Sequence, residues 1–481
     1  MNALQFQALL PFIVLGAASI VVILLIAFGR SHTFIQVTGF LMMCLVVLAM
    51  WYVKDSLPRD IPPLLVVDGL GALFTGLIVF SILVVGLLSF IYFEEREENP
   101  KEYYILLFLA TMGAAVMTIS RHFVSLFIGL EMLSVSLYAL IAYLRTRNNA
   151  VEAGTKYLVL AALSSAFLLF GMALIYMETG SMEFTGIAHG MSSAESPVLF
   201  VLGIGFLVVA IGFKLALTPF HLWAADVYQG APAPVTVFIA TVSKVGVFAA
   251  LLRFAQAVHL KDYPTAISIF STIAMASMLV GNLLALRQQN LKRLLAYSSI
   301  AHFGYLLVAF LPGDAAGTEA GFFYLVVYSI SLLSAFGIIT LLSTRQEDAG
   351  DLDLYKGLFW KQPLMGAVLT IAMLSLAGIP LTGGFLGKFF VIGAGIKGQL
   401  WPPVIMLVVT SVIGLYYYLR VISLLFERVS PQEKGARPLH PFFYYATYSV
   451  LILLMCLSFW LGLFPRLAIS GIEELLKIRL L

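Results

Sequence analysis

The chain has 481 residues, of which 61% are hydrophobic and only 11% are charged. An ordinary soluble domain has roughly 45–50% apolar and about 25% charged residues, so a water-soluble fold could not cover this much apolar surface. The chain is therefore expected to lie in a lipid bilayer. Its formal net charge of +3 and its scattered basic residues give no support to nucleic-acid binding.

Apolar runs of about 20 residues, the length that a membrane helix requires, recur along the whole chain. The expected spans, about fourteen in number, are 4–28, 34–53, 66–93, 103–119, 122–144, 154–177, 197–219, 233–257, 264–286, 294–311, 319–343, 364–397, 402–427 and 441–465. The run 364–397 is too long for one straight helix and contains Gly378 and Pro380, so it is expected to form one broken helix. Residues 466–481 suit a short amphipathic segment at the surface. No linker interrupts the pattern, so 1–481 is expected to form a single, all-α polytopic membrane domain.

Two further features bear on topology and cofactors. Lysine and arginine are more frequent in the connections that face the cytoplasm when the N terminus is placed outside, so both termini are expected on the outer side. Cys44 and Cys456 lie far apart in apolar runs and form no CxxC motif. Cysteine ligands for an iron–sulfur cluster, zinc or haem are therefore not expected, and no metal site is predicted.

Four charged residues stand inside apolar spans, namely Glu131, Lys214, Lys244 and Lys388. One charged side chain at mid-bilayer costs about 2.5–3.5 kcal/mol, so four would cost on the order of 10 kcal/mol if they faced lipid. They are expected to face the bundle interior, pair with one another, or meet water. Burial disfavours the charged form of an unpaired lysine, so such a group can take up and release a proton when a neighbouring charge changes. This property is what a proton relay requires.

A structural ion pair between Glu131 and one lysine is the alternative interpretation of these charges. Two arguments oppose it: one carboxylate cannot neutralise three ammonium groups, and buried ion pairs rarely stabilise a fold better than apolar packing does. A buried proton pathway is therefore favoured.

Helix breaks and one histidine support the same interpretation. Pro219 follows Lys214 and Pro380 precedes Lys388, and each proline frees backbone carbonyls that protein or water must satisfy. A packing kink is the alternative for each break alone, but paired breaks beside buried charges are typical of inverted-repeat transporters. His302 lies inside the tenth span and could relay protons between Lys244 and Lys388, because imidazole titrates near neutral pH. A hydrogen-bonded core histidine is the alternative.

Several motifs in the chain resemble one family over nearly its whole length. Residues 212–234 read GFKLALTPFHLWAADVYQGAPAP, 290–300 read NLKRLLAYSSI, 374–380 read LSLAGIP and 414–420 read GLYYYLR. Together they resemble the subunit N family of the proton-pumping NADH:quinone oxidoreductase, respiratory complex I. The related subunits L and M differ after the histidine, M has a glutamate where Lys388 stands, and the long lateral helix of L is not found. The multisubunit cation/proton antiporters share the broader fold and are the alternative family.

The resemblance implies a fourteen-helix antiporter-like fold with two inverted five-helix repeats, 103–257 and 264–427, whose helices 7 and 12 are broken. The family's proton-transfer residues fall on Glu131, Lys214, Lys244 and Lys388. It also implies a non-redox translocase subunit of a bacterial inner-membrane enzyme that works with other membrane and peripheral subunits. Flavin, iron–sulfur clusters and quinone are expected on those subunits.

In the expected mechanism, Glu131 stabilises protonated Lys214, which passes a proton toward Lys244. His302 and waters then carry it to Lys388. Besides the oxidoreductase subunit and the antiporter subunit, a third possible function is that of a purely structural membrane subunit.

Overall fold

The computed structural model describes residues 2–94, 100–192, 198–428 and 441–477. Within these ranges the chain is almost entirely helical, apart from a two-stranded antiparallel hairpin. Twelve of the described helices are long and apolar enough to cross a membrane. The expected all-α polytopic class is therefore confirmed. The count of about fourteen spans stays a prediction. The last four residues of the expected amphipathic segment lie outside the described ranges.

The N-terminal elements run from α1 to α9. They are α1 (Ala3–Ala8), α2 (Leu10–Ala27), α3 (His32–Val53), β1 (Arg59–Ile61), β2 (Leu65–Val67), α4 (Gly69–Glu94), α5 (Lys101–Thr118), α6 (Phe123–Ile141), α7 (Asn148–Thr179), α8 (Phe184–Ser192) and α9 (Val198–Leu215). The strands pair with Arg59 opposite Val67.

The remaining helices run from α10 to α21. They are α10 (Leu222–Gly230), α11 (Ala233–Phe238), a π-helical turn (Ile239–Ser243), α12 (Lys244–Ala257), α13 (Pro264–Leu286), α14 (Leu291–Phe310), α15 (Ala315–Leu342), α16 (Leu358–Lys361), α17 (Pro363–Ala377), α18 (Gly383–Lys397), α19 (Trp401–Leu425), α20 (Pro441–Leu463) and α21 (Pro465–Leu476).

Local sequence sets several helix ends. The side chains of Ser31, Asn290 and Asp314 each accept a hydrogen bond from a backbone N–H in the first turn of α3, α14 and α15. Gly180 and Gly378 adopt left-handed backbone angles where α7 and α17 end. Glycine takes this conformation without the penalty that a Cβ would impose.

The centre of the bundle is the segment Ala233–Ala257, which comprises α11, the π-helical turn and α12 and is buried from Ala233 through Phe254. Helix α15 contacts α11, the π-helical turn and α14. Helices α2, α3, α19 and α20 lie at the periphery and expose large apolar side chains such as Ile20, Leu48 and Val412. In a bilayer such a surface contacts lipid or a neighbouring membrane chain.

Two helices are interrupted within the bundle. Helix α9 ends at Leu215 and α10 begins at Leu222, with Pro219 between them. Helix α17 ends at Ala377 and α18 begins at Gly383, with Pro380 between them. The half-helix α10 was not expected from the sequence, because nine residues are too few to register as a membrane span.

Candidate functional site

Lys214 lies in the last turn of the half-helix α9 and is 2% exposed. Its Nζ donates a hydrogen bond to Ser134 Oγ on α6 at 2.7 Å. The rings of Tyr157 and Phe213 lie 5.4 and 5.6 Å from Nζ, within the range of a cation–π interaction. The carbonyl end of α9 adds partial negative charge. Neutral groups therefore surround this ammonium.

Glu131 is half-buried on α6, and its carboxylate accepts a hydrogen bond from Ser165 on α7. Among the described residues it makes no direct ion pair with Lys214, which bonds Ser134 instead. The carboxylate acts on Lys214 through its longer-range field. The direct hydrogen-bond partner of Lys214 is therefore a hydroxyl, and the stabilisation of protonated Lys214 by Glu131 stays a prediction.

Lys244 is fully buried at the start of α12, directly after the π-helical turn. Its Nζ donates to Ser299 Oγ on α14 at 2.6 Å, and Ser299 Oγ lies 2.6 Å from the hydroxyl of Tyr328 on α15. The rings of Phe303 and Tyr228 lie 4.5 and 5.9 Å from Nζ. Such π-helical turns occur frequently at functional sites, and this one places the lysine at the centre of the bundle.

His302 is buried on α14 between two tyrosine hydroxyls. Its Nδ1 lies 2.5 Å from the Tyr324 hydroxyl, and its Nε2 lies 2.9 Å from the Tyr418 hydroxyl. The Tyr418 hydroxyl is also 2.6 Å from Ser298 Oγ. The ring of Tyr328, which bonds Ser299, lies 5.5 Å from the His302 ring. Because hydroxyls both donate and accept, this cluster can exchange the direction of its hydrogen bonds.

Lys388 lies on the second half-helix, α18, and is 7% exposed. Its Nζ donates at 2.8 Å to the carbonyl of Ala377, the last residue of α17, and lies 5.3 Å from the Tyr305 ring. Gly378 has φ of 82°, and a Cβ there would lie 2.8 Å from Lys388 Cδ. Glycine suits this position because it tolerates the positive φ and leaves room for the Lys388 side chain.

The two breaks place their lysines alike, although lysine and proline come in opposite order along the chain. Lys214 lies at the carbonyl end of α9, and Lys388 reaches back to the carbonyl end of α17. Half-helix carbonyl ends are favourable sites for cations. At the first break, Trp223 Nε1 donates to the freed carbonyl of Phe213 at 2.9 Å. Protein groups therefore satisfy the freed carbonyl there.

Sequence reasoning did not assign a role to the hydroxyl groups around Lys244 and His302. Those in hydrogen-bond contact with Lys244, His302 or one another are Ser298, Ser299, Tyr324, Tyr328 and Tyr418. A usable signal was helical spacing, since Ser298 and His302 are four residues apart, as are Tyr324 and Tyr328. Within the described ranges no group of three or more histidine, cysteine or acidic side chains could hold a metal ion.

The half-helices and the buried lysines lie inside the part of the chain that matches a known family. Residues 120–414 match the family described as NADH:quinone oxidoreductase/Mrp antiporter, transmembrane, and the chain belongs to this family. Within it, two relatives are named NADH-quinone oxidoreductase subunit N. One, from Ectopseudomonas mendocina, is 45% identical over 479 residues, 97% of this chain and 95% of the relative. The other, from Methylococcus capsulatus, is 45% identical over 470 residues, 95% of this chain and 93% of the relative. The resemblance to subunit N is confirmed.

Solved structures share the fold over almost the whole chain. A chain of respiratory complex I from Thermus thermophilus with bound aureothin is 34% identical with a TM-score of 0.82, covering 96% of this chain and 98% of that one. A chain of the archaeal membrane-bound sulfane sulfur reductase is 28% identical with a TM-score of 0.85, covering 98% and 96%. A chain of the Mrp complex from Dietzia sp. is 20% identical with a TM-score of 0.84, covering 98% and 97%, and shows the fold alone.

Proposed function

We propose that the chain is the proton-translocating membrane subunit of an NADH:quinone oxidoreductase. The observation that carries the proposal is the state of three buried ammonium groups. Lys214, Lys244 and Lys388 each bond a hydroxyl or a carbonyl, and none forms an ion pair within the described part of the chain. A fold gains nothing in stability from three such uncompensated charges, so a role in moving protons explains them best.

In the proposed mechanism, a change of charge at Glu131 alters the field at Lys214 and releases its proton toward Lys244. Lys244 gives a proton to Ser299 as Ser299 gives its own to Tyr328, and Tyr328 releases its own hydroxyl proton to water in the same step. Waters and the hydroxyl cluster around His302 then carry the proton on toward Lys388. Two unit charges about 8 Å apart still interact by about 2 kcal/mol at an effective dielectric of 20. A carboxylate beyond direct contact can therefore still change how readily Lys214 releases its proton.

The subunit is proposed to work as a non-redox part of a larger enzyme in a bacterial inner membrane. The names of its relatives support other membrane and peripheral subunits as partners, which would hold flavin, iron–sulfur clusters and quinone. Two inverted repeats, 103–257 and 264–427, are also proposed. In support, His122 before α6 bridges to Glu183 after α7, and Asn290 before α14 bridges to Asp351 after α15. Both termini are proposed to lie on the outer side.

The test is redox-linked proton pumping in inverted membrane vesicles. Replacing Lys244 or Lys214 with alanine should abolish pumping while the complex remains assembled, because each variant removes one proton carrier. Lys356→Ala is the matched control, since Lys356 is an exposed lysine that pairs with Asp353 on the surface. Wild-type pumping by Lys244→Ala would refute the proposal.

Copurification separates this proposal from an antiporter subunit. The tagged chain, extracted in mild detergent, should bring down subunits that contain flavin and iron–sulfur clusters. A flavin-free assembly that exchanges sodium for protons in vesicles would favour the antiporter instead.

A further inference from the structure

A fourth buried lysine lies outside the row of proton carriers. Lys292, in the first turn of α14, is 1% exposed. Its Nζ donates to the carbonyls of Gln229 at 3.1 Å and Ala231 at 2.6 Å, and it pairs with Asp348 at 2.7 Å. The two carbonyls lie at the C-terminal end of the half-helix α10, which ends at Gly230. By sequence alone this lysine does not differ from the other basic residues in the connections between spans.

Asp348 collects further contacts at the same end of the bundle. It accepts from the Tyr92 hydroxyl of α4 at 2.6 Å and from Arg147 Nη1, which precedes α7, at 3.1 Å. We refer to Tyr92, Arg147, Lys292 and Asp348 as the clamp. It borders a polar cavity of about 420 Å³. One carboxylate thus joins α4, the start of α7, α14 and the segment after α15.

The clamp lies where α10 ends and α14 begins, and each of these helices places a side chain beside Lys244. Helix α10 carries Tyr228, next to Gln229, and the Tyr228 ring lies 5.9 Å from Lys244 Nζ. Helix α14 carries Ser299, which accepts the hydrogen bond from Lys244. Lys292 therefore joins the C-terminal end of α10 directly to the start of α14.

We infer that Lys292 is a positioning residue for proton transfer through Lys244, an inference that rests on the proposed function. Its bonds to Gln229, Ala231 and Asp348 hold α10 in register with α14. A compact ammonium on a flexible stem can serve these acceptors from different directions, whereas the planar guanidinium of arginine has a fixed fork of donors. Displacing α10 would move Tyr228 against Lys244 and change how readily that ammonium releases its proton.

The groups that face Lys244 are Tyr228 from α10, Ser299 and Phe303 from α14 and Tyr328 from α15. Tyr228 is the member of this set that moves with α10. A purely structural role for Lys292 would lower the amount of assembled complex and leave the pH profile of the assembled fraction unchanged. A positioning role would move that profile.

The experiment measures protons pumped per NADH oxidised, over a range of pH, in vesicles that carry the whole complex. Lys292→Met should lower this ratio by roughly tenfold or more, the scale of one charge-assisted hydrogen bond. It should also displace the pH profile. Lys292→Arg should fall between wild type and Lys292→Met, since it keeps the charge but not the directions of its donors. Lys356→Met removes a charge from an exposed surface pair without touching α10 and should match wild type.

The outcomes separate this inference from the proposed function. A wild-type ratio and pH profile in assembled Lys292→Met would overturn the inference. If Lys292→Met does not assemble, Lys292→Arg decides: a displaced profile supports positioning, and a wild-type ratio and profile overturn it. Lys244→Ala in the same vesicles tests the proposed function separately, because normal pumping by that variant refutes the function whatever Lys292 does.

Discussion

At the scale of single residues, the acceptors of the buried lysines are the decisive feature. A carboxylate about 4 Å from an ammonium would stabilise its charged form by about 4 kcal/mol at an effective dielectric of 20. A hydrogen bond from a charged donor to a neutral acceptor contributes about 1.5–3 kcal/mol. The Ser134, Ser299 and Ala377 oxygens therefore bind their lysines without holding the proton as firmly as a partner acid would.

The hydroxyl of Tyr418 offers a direct test of the connecting groups. Tyr418→Phe keeps the ring but removes the only hydroxyl shared by His302 and Ser298 within the described structure. We expect proton pumping to fall roughly tenfold, because lost hydrogen bonds of this kind are worth about 1–3 kcal/mol. Tyr416→Phe, on the same helix with a ring that is 63% exposed, is the control. Equal pumping by the two variants would remove Tyr418 from the pathway.

The sequence revealed the charged residues of the site but not the hydroxyls between them. Glu131 and the three lysines were recognisable because a charged side chain inside an apolar run is costly in lipid. Serine and tyrosine are ordinary in such runs, so Ser299 or Tyr418 attracts no notice until α14, α15 and α19 are packed together. Lys292 was overlooked for a related reason: it stands at a helix end, where a lysine normally reaches water, and only packing buries it.

At the scale of elements, long spans were predictable and short ones were not. The expected break in 364–397 corresponds to the separate helices α17 and α18. The half-helix α10, the hairpin of β1 and β2 and the π-helical turn before Lys244 were all missed. Each is shorter than the 20-residue window that reveals a membrane helix.

The close approach of α17 and α18 depends on Gly384. A Cβ at this position would lie 1.7 Å from the carbonyl oxygen of Ser375. Gly384→Ala should therefore push the half-helices apart and destabilise the protein by about 1–3 kcal/mol. Gly393→Ala, on the same helix, is the control, since nothing lies within 4 Å of its Cβ. The measurement is the apparent melting temperature of the purified complex, and equal values for the two variants would contradict the tight packing.

At the scale of the whole molecule, polar clusters at the ends of the bundle hold its parts together. Arg121, before α6, pairs with Asp60 of the hairpin and with Glu183 beyond α7. Asp348, beyond α15, joins Lys292 at the start of α14 with Arg147 at the start of α7. In each case a connection after a long helix returns to the start of another. Apolar packing between membrane helices has no hydrophobic driving force in lipid, so such polar contacts help to fix the arrangement.

The Asp348 cluster should make this arrangement sensitive to acid. Burial alone would raise the pKa of Asp348, but Lys292, Tyr92 and Arg147 together hold it below the ordinary value. A carboxyl whose pKa is lowered by folding stabilises the protein above its unfolded pKa of about 3.9 and loses that contribution as the pH falls further. Asp348→Asn should therefore lower stability at neutral pH by about 1.5–3 kcal/mol.

The difference between wild type and Asp348→Asn should stay constant down to about pH 4 and shrink below it. Apparent melting temperatures between pH 7 and pH 3 measure this difference, with Asp353→Asn as the control because that carboxylate is exposed and pairs only with Lys356 among the described residues. A difference that persists unchanged to pH 3 would mean that the Asp348 carboxylate contributes through its shape and hydrogen bonds rather than its charge. A shrinking difference identifies the ionised carboxylate as the group that joins α4, α7 and α14.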